Sequence, residues 1–376
     1  MPFIKNIYRW MLLLSIIIFC AACNSTTEQR TLKKLHLFAH QMPKTSLHIH
    51  LEGSIPPPII LKLAKRNNVV LPFKTEPEFH ALCHFSNFQQ FVDLYKLITS
   101  CFKTPEDYEL IAYEFGRECA RQNIRYAEVT FTIDTNCKFS GLPWQTILAA
   151  LNKGKARAQK EFHIIWNWIF DLTRSTSIEP ENFVDLILEA RASEQDVVAM
   201  GLSENILTNY PNVYKHALEK ALQNNLPIIP HAGEFEGPPS IWNALNICKA
   251  LRIGHGVRCI EDKKLMHTLR QQQTPLDICI TSNVCLGVVP NYQQHPLRKL
   301  WNAGLFITIS ADDPPFFNCD LNQEYDHLID DYHFSIDELE QVSINGLTAS
   351  LLPQDCKKEL IQTFKTTFAL LRKKIF

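Results

Sequence analysis

The chain has 376 residues, 46% of them hydrophobic and 20% charged. That is enough apolar material for a full core, which excludes an intrinsically disordered chain, and the length suits one large α/β domain or two ordinary ones. Lys plus Arg (38) and Asp plus Glu (39) leave a formal charge of -1; with no basic stripe, nucleic acid is not an expected partner.

The N-terminus reads as an address. Residues 1–10 carry Lys5 and Arg9 and no acid, and the apolar run Met11–Ala22 ends on small residues before Cys23. Basic, apolar, small is the order of a secretory signal. The run is shorter than the roughly 20 residues that a spanning helix needs. Residues 1–22 are therefore read as a signal peptide, 23–38 as a tether and 39–376 as one catalytic domain. The ending Cys20-Ala21-Ala22-Cys23 resembles a bacterial lipoprotein signal, although Cys20 stands where Leu is usual. The resemblance implies lipidation of Cys23 and a membrane anchor facing the periplasm or cell exterior; without lipidation the protein would be soluble in the periplasm. The chain has twelve cysteines. Cys119, Cys248 and Cys279 lie in apolar-periodic stretches, so mostly free, buried thiols are expected.

Eight strand-length apolar runs follow: Ser46–Leu51, Ile124–Phe131, His163–Phe170, Asp196–Leu202, Leu226–Pro230, Arg252–Val257, Leu276–Ile280 and Leu305–Ser310. Longer helix-period stretches separate them, which indicates parallel βαβ units. Eight such units suit a (β/α)8 TIM-type barrel, with a helical insertion between the first two strands, over residues 56–123. Within it, Phe85, Phe88 and Phe91 fall at helical spacing and read as core, one of them a possible pocket-lining residue. Trp166, Trp168 and Phe170 alternate on strand three and read as layers of the barrel.

The chemistry-bearing residues fall at strand ends, which in a barrel of this kind open into the catalytic mouth. His48 and His50 alternate on one face of the first strand, with Ile49 turned away. His231-Ala232-Gly233-Glu234 ends the fifth, Gly254-His255-Gly256 the sixth, and Ala311-Asp312-Asp313-Pro314 the eighth. Three imidazoles and a carboxylate make a zinc sphere able to hold a reactive water. A histidine and a glutamate remain for proton transfer.

HIHLEG, HAGE, RIGHG, TSN and ADDP, in this order from about Leu47 to Tyr325, resemble the adenosine deaminase family of metal-dependent amidohydrolases. The resemblance implies one Zn²⁺ per chain, held by His48, His50, His231 and Asp312. It implies that Glu234 protonates the purine at N1, that His255 orients and deprotonates the metal water, and that Asp313 contacts N7. Glu52 stands where many adenosine-specific members have Asp, facing the sugar. After strand four, Gly201-Leu202-Ser203-Glu204-Asn205 replaces a run close to D-L-A-G-D-E, so Glu204 stands at a base-contacting glycine, where a positive φ and a crowding carboxylate are expected. Thr281-Ser282-Asn283 reads evenly as loop scaffolding or as functional.

The expected activity is zinc-dependent hydrolytic deamination of the purine nucleosides adenosine and 2′-deoxyadenosine, because adenine would leave the Glu52 carboxylate unpaired. AMP is expected to go unused. The alternatives are an adenine deaminase, a deaminase of a 5′-modified adenosine such as aminodeoxyfutalosine, and, from another class, a catalytically silent purine-binding surface protein.

Overall fold

The computed structural model describes residues 29–173, 177–194, 196–204, 206 and 212–376. The signal segment with Cys23, and Asn205 after the fourth strand, lie outside the described residues. Eight strands, β1 (Lys44–His50), β2 (Ile124–Phe131), β3 (Ile165–Leu172), β4 (Val197–Leu202), β5 (Ile228–Ala232), β6 (Ile253–His255), β7 (Leu276–Ile278) and β8 (Ile307–Ile309), pair in chain order. Every pairing is parallel. A parallel bridge joins Ile49 of β1 to Asp312 just beyond β8. There the His50 amide donates to the Asp312 carbonyl at 3.0 Å and the Asp312 amide to the His48 carbonyl at 3.2 Å. The sheet thus closes as the expected TIM-type (β/α)8 barrel, and the closure brings the HIH and ADDP motifs side by side.

Strand boundaries differ from the sequence reading where helix caps intervene. His163 ends the helix Trp144–Phe162 in the left-handed conformation, so β3 starts at Ile165. The helix Ile280–Cys285 takes over where β7 was expected to continue. In β3 the aromatic set points the other way from expectation. Trp166 packs edge-on against Phe115 of the helix Pro105–Arg121, and the Trp168 indole donates to Asn152 at 2.8 Å. These side chains fill the layer between sheet and helices, while the alternate residue Ile169 meets Ala199 and Ile229 in a small cluster of its own. Period-two alternation puts Asp171 on the Ile169 face, at the barrel mouth.

The insertion comprises the helices Pro57–Arg66, Glu76–Leu82 and Phe88–Thr99, followed by Pro105–Arg121. Their starts are locally encoded. Thr75 and Asn87 accept from backbone amides three residues on, Thr104 and Asp107 form a capping box, and each such cap contributes about 1 kcal/mol. Residues 29–41 are helical, and Phe38 is buried against Phe368 near the C-terminus. The packed chain therefore begins before the boundary at residue 39, because a helix docks over part of the expected tether. Ten cysteines among the described residues are free, most of them buried.

Candidate active site

The barrel mouth collects His48, His50, His231 and Asp312 as the strand-end motifs suggested. Nε2 of His50 lies 3.2 Å from Asp312 Oδ1 and 3.3 Å from His231 Nε2, and His48 Nε2 lies 3.5 Å from the same carboxylate oxygen. The His231 Nδ1–H donates to the Leu202 carbonyl at 3.3 Å, which leaves its Nε2 lone pair facing the cluster. Ser282 Oγ donates to Asp312 Oδ2 at 2.7 Å, so the TSN turn supports a carboxylate. His48 Nε2 is buried with no hydrogen-bond partner among the described residues.

The electrostatics match a cation site. Burial and the neighbouring imidazoles of His48, His50 and His255 hold His231 well below the ordinary histidine range. Burial opposes ionisation of Asp312, yet the His48 and His50 imidazoles hold it well below the usual carboxylate range. Burial pulls His50 down, but the Asp313 and Asp312 carboxylates outweigh it and raise it to about 10. The site thus favours positive charge beside the Asp312 and Asp313 carboxylates, where the imidazoles converge. An orphaned imidazole nitrogen and a convergent His₃Asp donor set fit a divalent metal.

Two backbone features hold these groups at close quarters. His255 and Asp312 both adopt φ of 61°, a left-handed conformation that strains a non-glycine residue by about 1–3 kcal/mol and clusters at functional sites. Gly254 lies against the His48 ring, where a Cβ would come within 2.5 Å of Cε1. A Cβ at Gly53 would overlap the Asp313 carboxylate, which explains the glycine that ends HIHLEG.

Glu234 lies 3.6 Å from His255 Nε2. Burial pushes its carboxyl well above the usual range, with Asp312 and Glu204 adding to the effect. Asp313 is raised in the same way, by burial first and then by Asp312, and its Oδ1 has no hydrogen-bond partner among the described residues. Two buried carboxyls whose protonated form is favoured thus face the cluster.

These groups open into a cavity of about 670 Å³, lined also by Phe88, Phe91, Tyr95, Lys96, Asp171 and Phe235. Phe88 and Phe91 are therefore pocket wall rather than core alone, and Phe88 meets Phe235 with ring centroids 4.6 Å apart. Glu52 is fully buried and stands behind this wall. Its Oε1 accepts from the Thr132 amide (3.0 Å), Thr132 Oγ1 (2.5 Å) and Asn136 Nδ2 (2.7 Å), and its Oε2 accepts from the Tyr95 hydroxyl at 3.0 Å. Glu204 also differs from expectation. Its backbone is helical, so no positive φ is needed. Its carboxylate is clasped by the amides of Glu234 (3.1 Å), Phe235 (2.8 Å) and Glu236 (3.1 Å) and by Ser240 Oγ (2.9 Å). It shapes the loop that carries Glu234.

The sequence reading missed Asp171, Lys96, Tyr95 and His295, and left Asn283 of the TSN turn evenly between scaffolding and function. Asp171 Oδ1 is buried and has no partner among the described residues, and it leans over Gly201 at 2.4 Å from where a Cβ would stand. Burial pushes Asp171 up to about 7, with His50 opposing. Its signal was its inward register on β3; Lys96 and Tyr95 carried none, because their helix had no fixed orientation in the sequence.

The family model for adenosine deaminase matches residues 43–367. The chain is 35% identical to an aminodeoxyfutalosine deaminase of Streptomyces avermitilis over 303 residues, covering 80% of this chain and 84% of that one. It is 31% identical to an adenine deaminase of Wolinella succinogenes over 332 residues, covering 88% and 98%. The crystal structure of an adenine deaminase from Arthrobacter aurescens superposes with a TM-score of 0.79 at 26% identity, covering 86% and 98%. A barrel closed at HIH and ADDP, two buried acids over a cation site and these relatives place the chain in the adenosine deaminase family of the amidohydrolases, as a hydrolytic deaminase.

Proposed function

We propose that this enzyme deaminates a 6-aminopurine other than adenosine itself, with an adenosine bearing a further substituent as the leading substrate. The carrying observation is the cavity: about 670 Å³, within the size range of pockets for drug-sized ligands. A bare purine between Glu234 and Asp313 fills only its inner end. The outer wall of Phe88, Phe91, Val92, Phe235 and Leu286, with Lys96 among them, suits an apolar or aromatic extension with an anionic end. The aminodeoxyfutalosine deaminase named above supports this reading.

Adenine is the second reading, favoured by the state of Glu52. The expectation of adenosine first required a ribose hydroxyl to pair that carboxylate. Four protein donors already do so, so free adenine leaves nothing orphaned there, and the adenine deaminase relatives agree with this.

His48, His50, His231 and Asp312 would hold a zinc ion, which when bound supplies a Lewis acid and a nucleophilic water at neutral pH. The chain's own groups do the rest. Glu234, kept protonated by burial, donates to ring nitrogen N1 and makes C6 electrophilic. Asp313, also protonated, donates to N7, which is an acceptor only. The aromatic wall excludes bulk water and orients the extension, and hydrolysis at C6 releases ammonia. The test is kcat/KM measured side by side for adenine, adenosine and a 5′-aryl-substituted adenosine. The substituted compound should lead, and Phe88→Ala should raise its KM while leaving that of adenine unchanged. An enzyme that prefers adenosine to both would overturn the proposal.

A further inference from the structure

Behind His255 lies a buried chain of three side chains, and nothing in the assignments above uses its outer two. Asn283 Nδ2 lies 3.2 Å from His255 Nδ1, His295 Nε2 lies 3.2 Å from Asn283 Oδ1, and the Leu297 amide donates to His295 Nδ1 at 3.1 Å. All three side chains are 5% exposed or less. We infer that Asn283 and His295 lock His255 in the tautomer with its proton on Nε2, so that it meets the substrate centre as a hydrogen-bond donor rather than as a base.

The direction of the chain follows from its far end. Leu297 is the first residue of the helix Leu297–Asn302, and the leading amides of a helix have no intrahelical acceptor. An amide N–H can only donate, so His295 Nδ1 accepts. Burial pushes the His295 imidazole down to about 3, so the ring is neutral and its proton sits on Nε2. That proton must meet an acceptor, which turns Oδ1 of Asn283 toward His295 and Nδ2 toward His255. His255 Nδ1 then accepts, and the remaining proton lies on Nε2, 3.6 Å from Glu234 Oε2 and 4.0 Å from Asp312 Oδ2. For His255 to offer a lone pair to the centre, Asn283 would have to flip and His295 would have to face the Leu297 amide with a second donor. A fixed backbone proton thus sets the face that His255 shows to the chemistry, and Asn283 and His295 are positioning residues. The family resemblance had His255 orient and deprotonate the water; this geometry keeps the orienting role and leaves proton transfer to the carboxyl groups.

The inference rests on the proposed reaction centre at Glu234, but its primary readout needs no substrate. In the zinc-loaded, ¹⁵N-histidine-labelled protein, the His255 signals, identified by their loss in His255→Gln, should show Nε2 protonated and Nδ1 bare. Asn283→Asp is isosteric but accepts where the amide donated, so His255 should gain a proton on Nδ1. Its kcat should then fall about 10²-fold, with zinc content and KM little changed. His295→Gln keeps an acceptor for Leu297 and a donor for Asn283, and should retain the tautomer and most of kcat; His295→Ala should show mixed tautomers. A wild-type His255 protonated on Nδ1, or an Asn283→Asp enzyme that loses turnover with its ¹⁵N pattern unchanged, would overturn the inference. A wrong substrate assignment would leave the ¹⁵N result intact, so the two failures are distinguishable.

Discussion

Glu234 and Glu52 show how differently a buried carboxyl can be used. Glu234 faces the cation site with its pKa raised by burial, so its protonated form survives to higher pH than that of an exposed carboxyl and can serve as an acid. Activity that depends on that proton is present below the raised pKa and is lost as pH rises through it. Glu234→Gln should therefore keep fold and metal content while kcat falls by about 10²–10⁴-fold, and the alkaline fall in kcat should disappear from the residual activity. Near-native turnover in that variant would remove the acid assignment. Glu52, by contrast, receives four hydrogen bonds and donates none. Glu52→Gln turns an amide NH₂ toward those donors and should destabilise the protein by about 1–3 kcal/mol, read as a lower Tm with or without purine. A stable variant with altered substrate preference would instead return Glu52 to the pocket. Strand-end position was enough to find Glu234 in the sequence. The surroundings of Glu52 were not legible there, because its donors come from Tyr95, Thr132 and Asn136, more than forty positions away.

At the scale of elements, the strands were legible because the period-two and apolar signals are local. The docking of the helices was not. Helix Phe88–Thr99 is amphipathic from its sequence, but only its position over the mouth turns Phe88 and Lys96 into pocket wall. The N-terminal helix escaped entirely, since its ties are polar and remote: His36 Nδ1 to Asp326 Oδ1 at 2.5 Å, His36 Nε2 to Asp330 at 3.0 Å, and His40 Nε2 to Asp326 at 2.9 Å. Burial lowers His36, yet the Asp326 and Asp330 carboxylates outweigh it and raise the group. Asp326 is lowered by His40 and His36 against the effect of its burial. The His36 contribution is complete below its unfolded pKa of about 6.5 and is lost as pH rises through the raised value. The Asp326 contribution is complete above about 3.9 and is lost as pH falls through the lowered value. Helix docking should therefore be firmest near pH 4–6.5. Limited proteolysis should cut residues 29–41 faster at pH 9 than at pH 6, and His36→Ala should abolish the difference. Equal cleavage at both pH values in the wild type would mean that apolar contacts such as Phe38 with Phe368 hold the helix alone.

At the scale of the whole molecule, the described barrel holds the candidate site, while the first 28 residues carry a sequence that resembles an export leader. The site is assembled from strand ends between His48 and Asp313, and its wall from residues 88–96 and 235. No described helix is long and apolar enough to cross a membrane, and the anchor expected from the sequence falls in residues 1–28. There the order of Lys5, Arg9, the apolar run and Cys23 resembles a bacterial lipoprotein signal, and we propose that Cys23 carries lipid. Acyl chains contribute about 0.8 kcal/mol per buried CH₂, and two or more hold a protein stably at a bilayer. Loss of the acceptor thiol should therefore release the whole enzyme, not weaken it by degrees. Cys23→Ser, expressed in a bacterial host with its leader intact, should move from the membrane pellet to the soluble fraction. Its kcat and metal content should stay at wild-type values, because the site is built from residues of the barrel mouth and Phe38 is the first fully buried apolar side chain among the described residues. A variant that stays in the pellet and resists salt extraction would assign the anchoring to the uncleaved Met11–Ala22 run instead of lipid.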